Sequence, residues 1–389
     1  MGQIKDILKR FLPMPARWSQ QQTREIMALL GANHEKLLQQ INNISVAPPP
    51  LVASPEPIEN AFLKFEIFEV QNETITGKNV KFYWAVHSKA TDPISWYART
   101  GYVPIEHELL ELFPNPGTFV DIGANIGAFS FSFAACGWKG YALEASHNNV
   151  TVLKTSNAVN RFDVSITETA VFDRVGEINF VQNGPWGQIV FEPSEYSVQC
   201  TTMDEWHKYN PVTKVDLIKM DIEGSEMAAL RGMKVFLEKM NYPPIFTEVN
   251  VLTLMVFDET QKSFMEYANT LGYKPYALQD GKLVPWDADR LPEVVCTDYL
   301  LIHTMPDEWS TKLSDTLPTQ TKEEVIAQLL QRFNNRNQWE NYEVYIAYAL
   351  KDYPEYYQNS EIKEHLLAIA KEQDTNPYAQ RAVQWFLEL

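Results

Sequence analysis

Phe119-Val120-Asp121-Ile122-Gly123-Ala124-Asn125-Ile126-Gly127-Ala128-Phe129-Ser130 decides how this chain is read. An apolar run stops at an acid, turns through a Gly-rich loop and continues as a helix. A loop of that kind, at the carboxyl end of a parallel strand, is where α/β sheets bind their ligands.

From Thr118 onward the pattern alternates. Strand 119–122 leads to helix 125–136, strand 140–143 ends at Glu144 before helix 147–158, and strand 164–167 ends near Thr169-Ala170. A hairpin-like stretch, 176–200, is followed by helix 202–208. Strand 215–220 ends at Asp221 before helix 225–238, and strand 244–248 ends at Glu248. Helix 260–271 precedes a pair formed by 273–286 and 299–303. Apolar strands alternating with helices predict a mainly parallel sheet with right-handed crossovers and helices on both faces. Upstream, 65–70 and 80–86 read as two strands around Thr76-Gly77-Lys78, and 104–113 as a helix that stops before Pro114.

Two flanking regions differ. Residues 1–46 predict an N-terminal helical extension. Ile4, Ile7, Leu8, Phe11 and Leu12 share one face beside Lys5, Lys9 and Arg10, so residues 1–12 suit either peripheral contact with an anionic membrane surface or packing as an ordinary helix. In 17–45, Met27, His34 and Ile41, then Leu30, Leu37 and Ile44, fall at heptad positions. That coiled-coil-like seam leaves homo-oligomerisation open, against packing on its own domain. A proline-rich linker follows at 47–60. The main domain is expected over 61–308, with its core at 118–305, and an all-helical appendage over 309–389. There Thr321-Lys322-Glu323-Glu324 spells a capping box, and further apolar faces include Trp339, Tyr342, Ile346 and Leu350.

The net charge of -17 argues against nucleic acid, whose phosphates need a basic surface. Three separated cysteines, Cys136, Cys200 and Cys296, suggest neither a disulfide framework nor a zinc site. No apolar run reaches the ~18 residues of a spanning helix, and the N-terminus lacks the apolar core of a secretory signal. The expected location is cytoplasmic, with the inner face of a membrane as the place where residues 1–12 would attach.

The loop's chemistry narrows its ligand. A dinucleotide brings a pyrophosphate to a helix N-terminus. S-adenosylmethionine brings no phosphate but a cationic sulfonium and ammonium. Asp121, two residues before Gly123, would repel pyrophosphate and attract an amine. The spacing is Gly123-Ala124-Asn125-Ile126-Gly127 rather than G-x-G-x-x-G. Asn125 tolerates the left-handed backbone that glycine otherwise supplies. Glu144, ending the next strand, is placed to accept both hydroxyls of a ribose.

These residues, with Asn157-Ala158-Val159-Asn160, Ala170-Val171-Phe172-Asp173, Thr202-Met203-Asp204-Glu205-Trp206 and above all Lys219-Met220-Asp221-Ile222-Glu223-Gly224-Ser225-Glu226, resemble the FkbM-type S-adenosylmethionine-dependent methyltransferases over about 90–305. The resemblance implies a class I methyltransferase, Rossmann-like fold with a seven-stranded, mainly parallel sheet. It also implies S-adenosyl-L-methionine as donor and transfer to a hydroxyl of a sugar, glycan or related metabolite. The donor-binding residues it implies are Asp121, Gly123, Ala124, Asn125, Ile126, Gly127, Glu144, Ala145 and Ala170. After Glu144 the family usually continues with Pro, where this chain has Ala145-Ser146-His147.

The second block agrees from its own chemistry. Lys219 and Asp221 share a face at the end of one central strand, beside Glu248 at the end of the next. Methyl transfer to a hydroxyl needs an aligned nucleophile and help in removing its proton. Asp221 and Glu248 are candidates for the base or for holding the acceptor. Lys219 either steadies a developing alkoxide or forms an ion pair that orders the loop. Glu223 and Glu226 open a helix, where capping and catalysis are both open readings. Asp221, Glu248 and Asn250 offer hard oxygens to a divalent metal, which is not expected. Among the histidines, His303 is the one to test as a base. Two rival readings stand beside the methyltransferase: an NAD-dependent oxidoreductase, disfavoured by Asp121 and the loop spacing, and an inactive methyltransferase-like assembly module.

Overall fold

The structure, a computed structural model, describes residues 65–73, 79–88, 90, 93–101, 107–182, 187–191, 193–279, 281–288, 296–314, 321–334, 356 and 358–364. The two N-terminal helices, the proline-rich linker, the turn at Thr76-Gly77-Lys78, the start of the helix expected at 104 and the apolar faces beyond Asn334 around Trp339 lie outside the described residues.

β1 (Phe65–Glu73) and β2 (Asn79–His87) form an antiparallel ribbon. Val70, Phe82 and Trp84 face inward by the period-2 rule. α1 (Pro93–Thr100) and α2 (His107–Leu112) follow. The main sheet then takes β3 (Thr118–Ile122), β4 (Lys139–Glu144), β5 (Val164–Glu168), β10 (Leu217–Met220), β11 (Ile245–Asn250), β12 (Lys274–Gln279), β13 (Lys282–Pro285) and β14 (Cys296–Ile302). Their order is β13-β12-β14-β11-β10-β3-β4-β5. The five strands from β11 to β5 are parallel, and β14 runs against them. The chain winds outward in both directions from the β3/β10 pair, which makes that pair the topological switch point.

The sheet has eight strands rather than the expected seven, and it is mixed. Residues 273–286 do not form one strand. They fold back on themselves as the β12–β13 hairpin, and β12 also pairs with β14. The stretch 176–200 leaves the main sheet altogether. β6 (Ala170–Val171), β7 (Gly176–Val181), β8 (Gln188–Ile189) and β9 (Tyr196–Thr201) make a separate four-stranded sheet.

The crossover helices are α3 (Ala128–Ala135), α4 (His147–Asn160), α5 (Met203–Tyr209), α6 (Glu226–Arg231), α7 (Lys234–Lys239), α8 (Val251–Val256) and α9 (Gln261–Thr270). The helix expected over 225–238 is two pieces. Asp204 holds the break, its N–H donating to the Gly232 carbonyl and its carboxylate accepting the Phe236 N–H at 2.7 Å. α8, Val251-Leu252-Thr253-Leu254-Met255-Val256, has a strand-like composition. The Asn250 side chain turns it into a helix by accepting the Leu252 N–H.

Val120, Ile122, Ile218, Met220 and Ile245 join Leu230, Phe236 and Phe264 in one core. Each such side chain contributes roughly 1.5–3 kcal/mol on burial. Val325 from α10 (Lys322–Asn334), Tyr356 and Ile362 are buried in the same core. The capping box at Thr321 is present: Glu324 accepts the Thr321 N–H at 2.8 Å, and Thr321 Oγ accepts the Glu324 N–H.

Candidate active site

Strand register assembles the site. Lys219 of β10 lies beside Asp121 of β3, so the two share a sheet face, and Asp121 points toward α3. Asp121 is fully buried. Its Oδ2 accepts from Ser130 at 2.6 Å, and its Oδ1 has no hydrogen-bond partner but lies 3.6 Å from Lys219 Nζ. Burial, the largest influence, raises the Asp121 carboxyl above its ordinary range against the pull of Lys219.

The loop after β3 is held at each successive peptide. Gly123 and Ala124 donate their N–H groups to the Leu143 carbonyl. The Gly123 carbonyl accepts from Lys219 Nζ at 2.9 Å. Asn125, at φ 52, donates its N–H to Glu144 at 2.8 Å. The Ile126 carbonyl accepts from the buried Trp84 indole at 2.7 Å. Glu144 is buried too. Its other oxygen takes the Ser146 N–H at 2.8 Å and the Asn149 amide at 3.3 Å. Burial raises its carboxyl, partly offset by those donors.

The glycines do a different task from ligand approach alone. At Gly123, φ 80, a Cβ would sit 2.0 Å from the Asp221 carbonyl oxygen; at Gly127, φ 97, it would strike Phe131 and Leu153. Both are required by protein packed against them. The reason is the closeness of β3 and β10: the Asp221 N–H donates to the Ile122 carbonyl at 3.1 Å.

Lys219 Nζ also lies 3.3 Å from Asp221. Burial works against its charge, but Asp221 and Asp121 outweigh it and the ammonium is raised, a permanent cation rather than a base. Around it stand more carboxyls than cations. Glu223, at φ 52, is raised well above the carboxylate range by burial and then by Glu248 and Asp221. Glu226 accepts the Ile222 N–H at 3.0 Å, a capping contact, while its other oxygen is buried without a partner; burial pushes it up to about 7. Glu248 lies one step beyond the Met220–Thr247 register pair, level with Asp221. Burial and then Asp221 push it up to about 8, against the pull of Cys296, which hydrogen-bonds to it. Burial likewise raises the Cys296 thiol.

The structure thus brings Asp121, Lys219, Asp221 and Glu248 together, with the loop 123–127 and Glu144 alongside. Ala170 opens β6 right after β5, and Ala145 packs at the edge of that smaller sheet. His303 lies elsewhere. β14 is antiparallel, so its end lies at the amino ends of the parallel strands, opposite the site, where the ring stacks on Tyr242 at 4.3 Å. It is not placed to serve as base. Among the described residues no group of side chains is arranged to hold a metal ion, and no helix is long and apolar enough to cross a membrane.

Four contributors went unread: Trp84, Ser130, Asn149 and Cys296. Trp84 reaches the loop from the β1–β2 ribbon, which the Asn160 amide clamps at Tyr83 by bonds of 2.7 and 2.6 Å. Only the N-x-x-N motif in α4 hinted at this. Other motif residues are structural. Asp216 accepts the Thr118 N–H and ties β10 to β3, and the Trp206 indole donates to Thr167.

Comparison with known proteins places this arrangement. Residues 121–274 match the Methyltransferase FkbM domain. No curated protein sequence matches the chain. Among solved structures the fold is similar to WbdD, at 14% identity over 50% of this chain and 37% of that one, with a TM-score of 0.31. It is also similar to a TehB-like SAM-dependent methyltransferase from Corynebacterium glutamicum, at 11% identity, 53% and 92% coverage and a TM-score of 0.33. A third is the Pyrococcus abyssi tRNA (uracil-54, C5)-methyltransferase in complex with S-adenosyl-L-homocysteine, at 10% identity, 60% and 43% coverage and a TM-score of 0.30. The FkbM assignment rests on the domain match and not on these distant likenesses. The loop after β3, Lys219 and Asp221 all lie within the matched residues.

Proposed function

We propose that the FkbM domain transfers the methyl group of S-adenosyl-L-methionine to a hydroxyl oxygen of a sugar or glycan, with Glu248 as general base. The observation that carries the reading is the pairing of a fully clamped loop with a carboxyl raised to about 8, both at the carboxyl ends of central strands. The residues suit a cationic donor. Carboxyls outnumber cations around Lys219, and Asp121 keeps a buried oxygen without a hydrogen-bond partner. Gly123, Ala124, Asn125, Ile126, Gly127, Ala145 and Ala170 would frame the donor, Glu144 would meet its ribose, and Asp121 would act through its charge. When bound, the donor supplies a methyl group on positively charged sulfur.

The chain's own residues supply the rest. Glu248, with a pKa near the working pH, accepts the acceptor's hydroxyl proton as the oxygen becomes nucleophilic. Asp221 and Glu223, whose charges raise or feel that of Glu248, orient the hydroxyl. Lys219 is bound to Asp121, Asp221 and the Gly123 carbonyl, so it holds geometry and does not move a proton.

Calorimetric titration with S-adenosylmethionine, S-adenosylhomocysteine and NAD tests the donor. Transfer of labelled methyl to a panel of mono- and oligosaccharides, with the product site mapped by mass spectrometry, tests the acceptor. Binding of NAD without S-adenosylhomocysteine, or methyl found on nitrogen or carbon, would overturn the reading.

A further inference from the structure

The small sheet that begins at Ala170 carries a second concave surface. Together with Val190, Phe191, Ser194 and Glu195 it lines a groove of about 350 Å³. Its lining is mostly polar and includes Arg174, Glu177, Asn179, Glu195 and Ser197, with the aromatic ring of Phe191 among them. None of the residues that clamp the loop or surround Lys219 belongs to it.

Three features indicate what it would take. Phe191 is 56% exposed, yet its ring is held edge-on against Phe257 at 5.2 Å. It is a braced aromatic ring rather than a loose one. Glu177 accepts a hydrogen bond from Ser197 across the paired strands β7 and β9. Arg174 is set over the Phe172 ring at 5.0 Å and lies 3.8 Å from Asp173. Carboxylates that accept, a guanidinium that donates and an amide that does both suit a ligand rich in hydroxyls, each hydroxyl being donor and acceptor at once. Phe191 adds an apolar contact for the C–H face of such a ring. Two carboxylates against one guanidinium disfavour a polyanion.

The groove is also tied to the reaction centre through the chain. Phe257 directly follows α8, which leaves β11 just after Glu248 and Asn250, and the Thr253 carbonyl of α8 packs on Gly224. We propose that the Phe191–Glu195–Arg174 groove is a distal acceptor subsite that holds neutral sugar units adjoining the one methylated. This rests on the glycan reading above, and it makes the acceptor an oligosaccharide.

The test uses the full chain, labelled and applied to an array of neutral oligosaccharides one to six units long, alone and with S-adenosylhomocysteine. Phe191→Ala and Glu195→Gln are compared with the unaltered protein, and thermal unfolding confirms their folding. Binding that grows with chain length and falls about tenfold or more in each variant, with S-adenosylhomocysteine affinity unchanged, is the expected result. Oligosaccharides bound equally by variants and unaltered protein would remove the subsite while leaving the glycan acceptor intact. No oligosaccharide binding by a protein that binds S-adenosylhomocysteine would overturn both subsite and glycan acceptor. Failure to bind S-adenosylhomocysteine would overturn the methyltransferase reading and, with it, the groove's role as an acceptor subsite, while the array read without it would still show whether the groove binds glycans.

Discussion

Lys219 donates to the Gly123 carbonyl at 2.9 Å, joining residues 96 apart in sequence. The same ammonium neutralises Asp121, which is fully buried under the loop. One side chain therefore fixes the loop's position and satisfies the charge beneath it.

Replacing Lys219 by Met removes the partner of that buried carboxylate. An uncompensated buried charge costs about 3–5 kcal/mol. Lys219→Met should lower the unfolding free energy by that order, measured by chemical denaturation, and weaken S-adenosylhomocysteine binding. Adding Asp121→Asn removes the charge as well, so the double variant should be more stable than the sum of the single changes predicts, by about 1–3 kcal/mol. Strict additivity would show that the two do not interact.

Glu144 accepts N–H groups on both oxygens, from Asn125 and from Ser146. Gln offers one acceptor where two are needed and turns a donor toward a donor. Glu144→Gln should cost about 1.5–3 kcal/mol of stability and reduce donor affinity, whereas Glu168→Gln, at the exposed end of β5, should leave calorimetric binding unchanged.

The raised carboxyl of Glu248 makes stability depend on pH. Its folded pKa of about 8 exceeds the unfolded value of 4.5, so the folded state holds the proton longer. That contribution is complete below the unfolded value and is lost as pH rises through the folded one. Unfolding free energy should fall between about pH 5 and pH 8, and Glu248→Gln should flatten the slope. The methylation rate should run oppositely, rising with pH toward a plateau above about 8 as the base is freed. Glu248→Gln should lower it by about 10²–10⁴-fold. A rate indifferent to pH across that window would exclude Glu248 as base.

Gly123→Ala places a Cβ against the Asp221 carbonyl in a left-handed backbone. It should cost about 3 kcal/mol or more and abolish donor binding. Gly281→Ala shares a positive φ, 72, but meets nothing within 4 Å. It should cost only about 1 kcal/mol and leave binding intact. Equal midpoints in denaturation would contradict the packing account.

The sequence by itself determined the βα alternation, the loop 123–127, and the acids at the strand ends. These are local signals: apolar period, glycine and asparagine at turns, and a polar residue where a buried strand surfaces. The Lys219–Glu226 block also carried the resemblance to the FkbM methyltransferases, whose domain model matches residues 121–274. Tertiary structure alone decided which groups meet and in what state. The pairing of Lys219 with Asp121, the reason for Gly123, and the indole of Trp84 on the Ile126 carbonyl depend on strand register and on contacts far apart in the chain. The same holds for the proton on Glu248, because a carboxyl's affinity for protons is set by burial and neighbouring charge, neither of which is written in its own segment. The hairpin expected over 176–200 is present as β7 paired antiparallel with β9, whereas the helix at 251–256, set by one asparagine cap, depends on a side-chain contact that strand-like composition does not show.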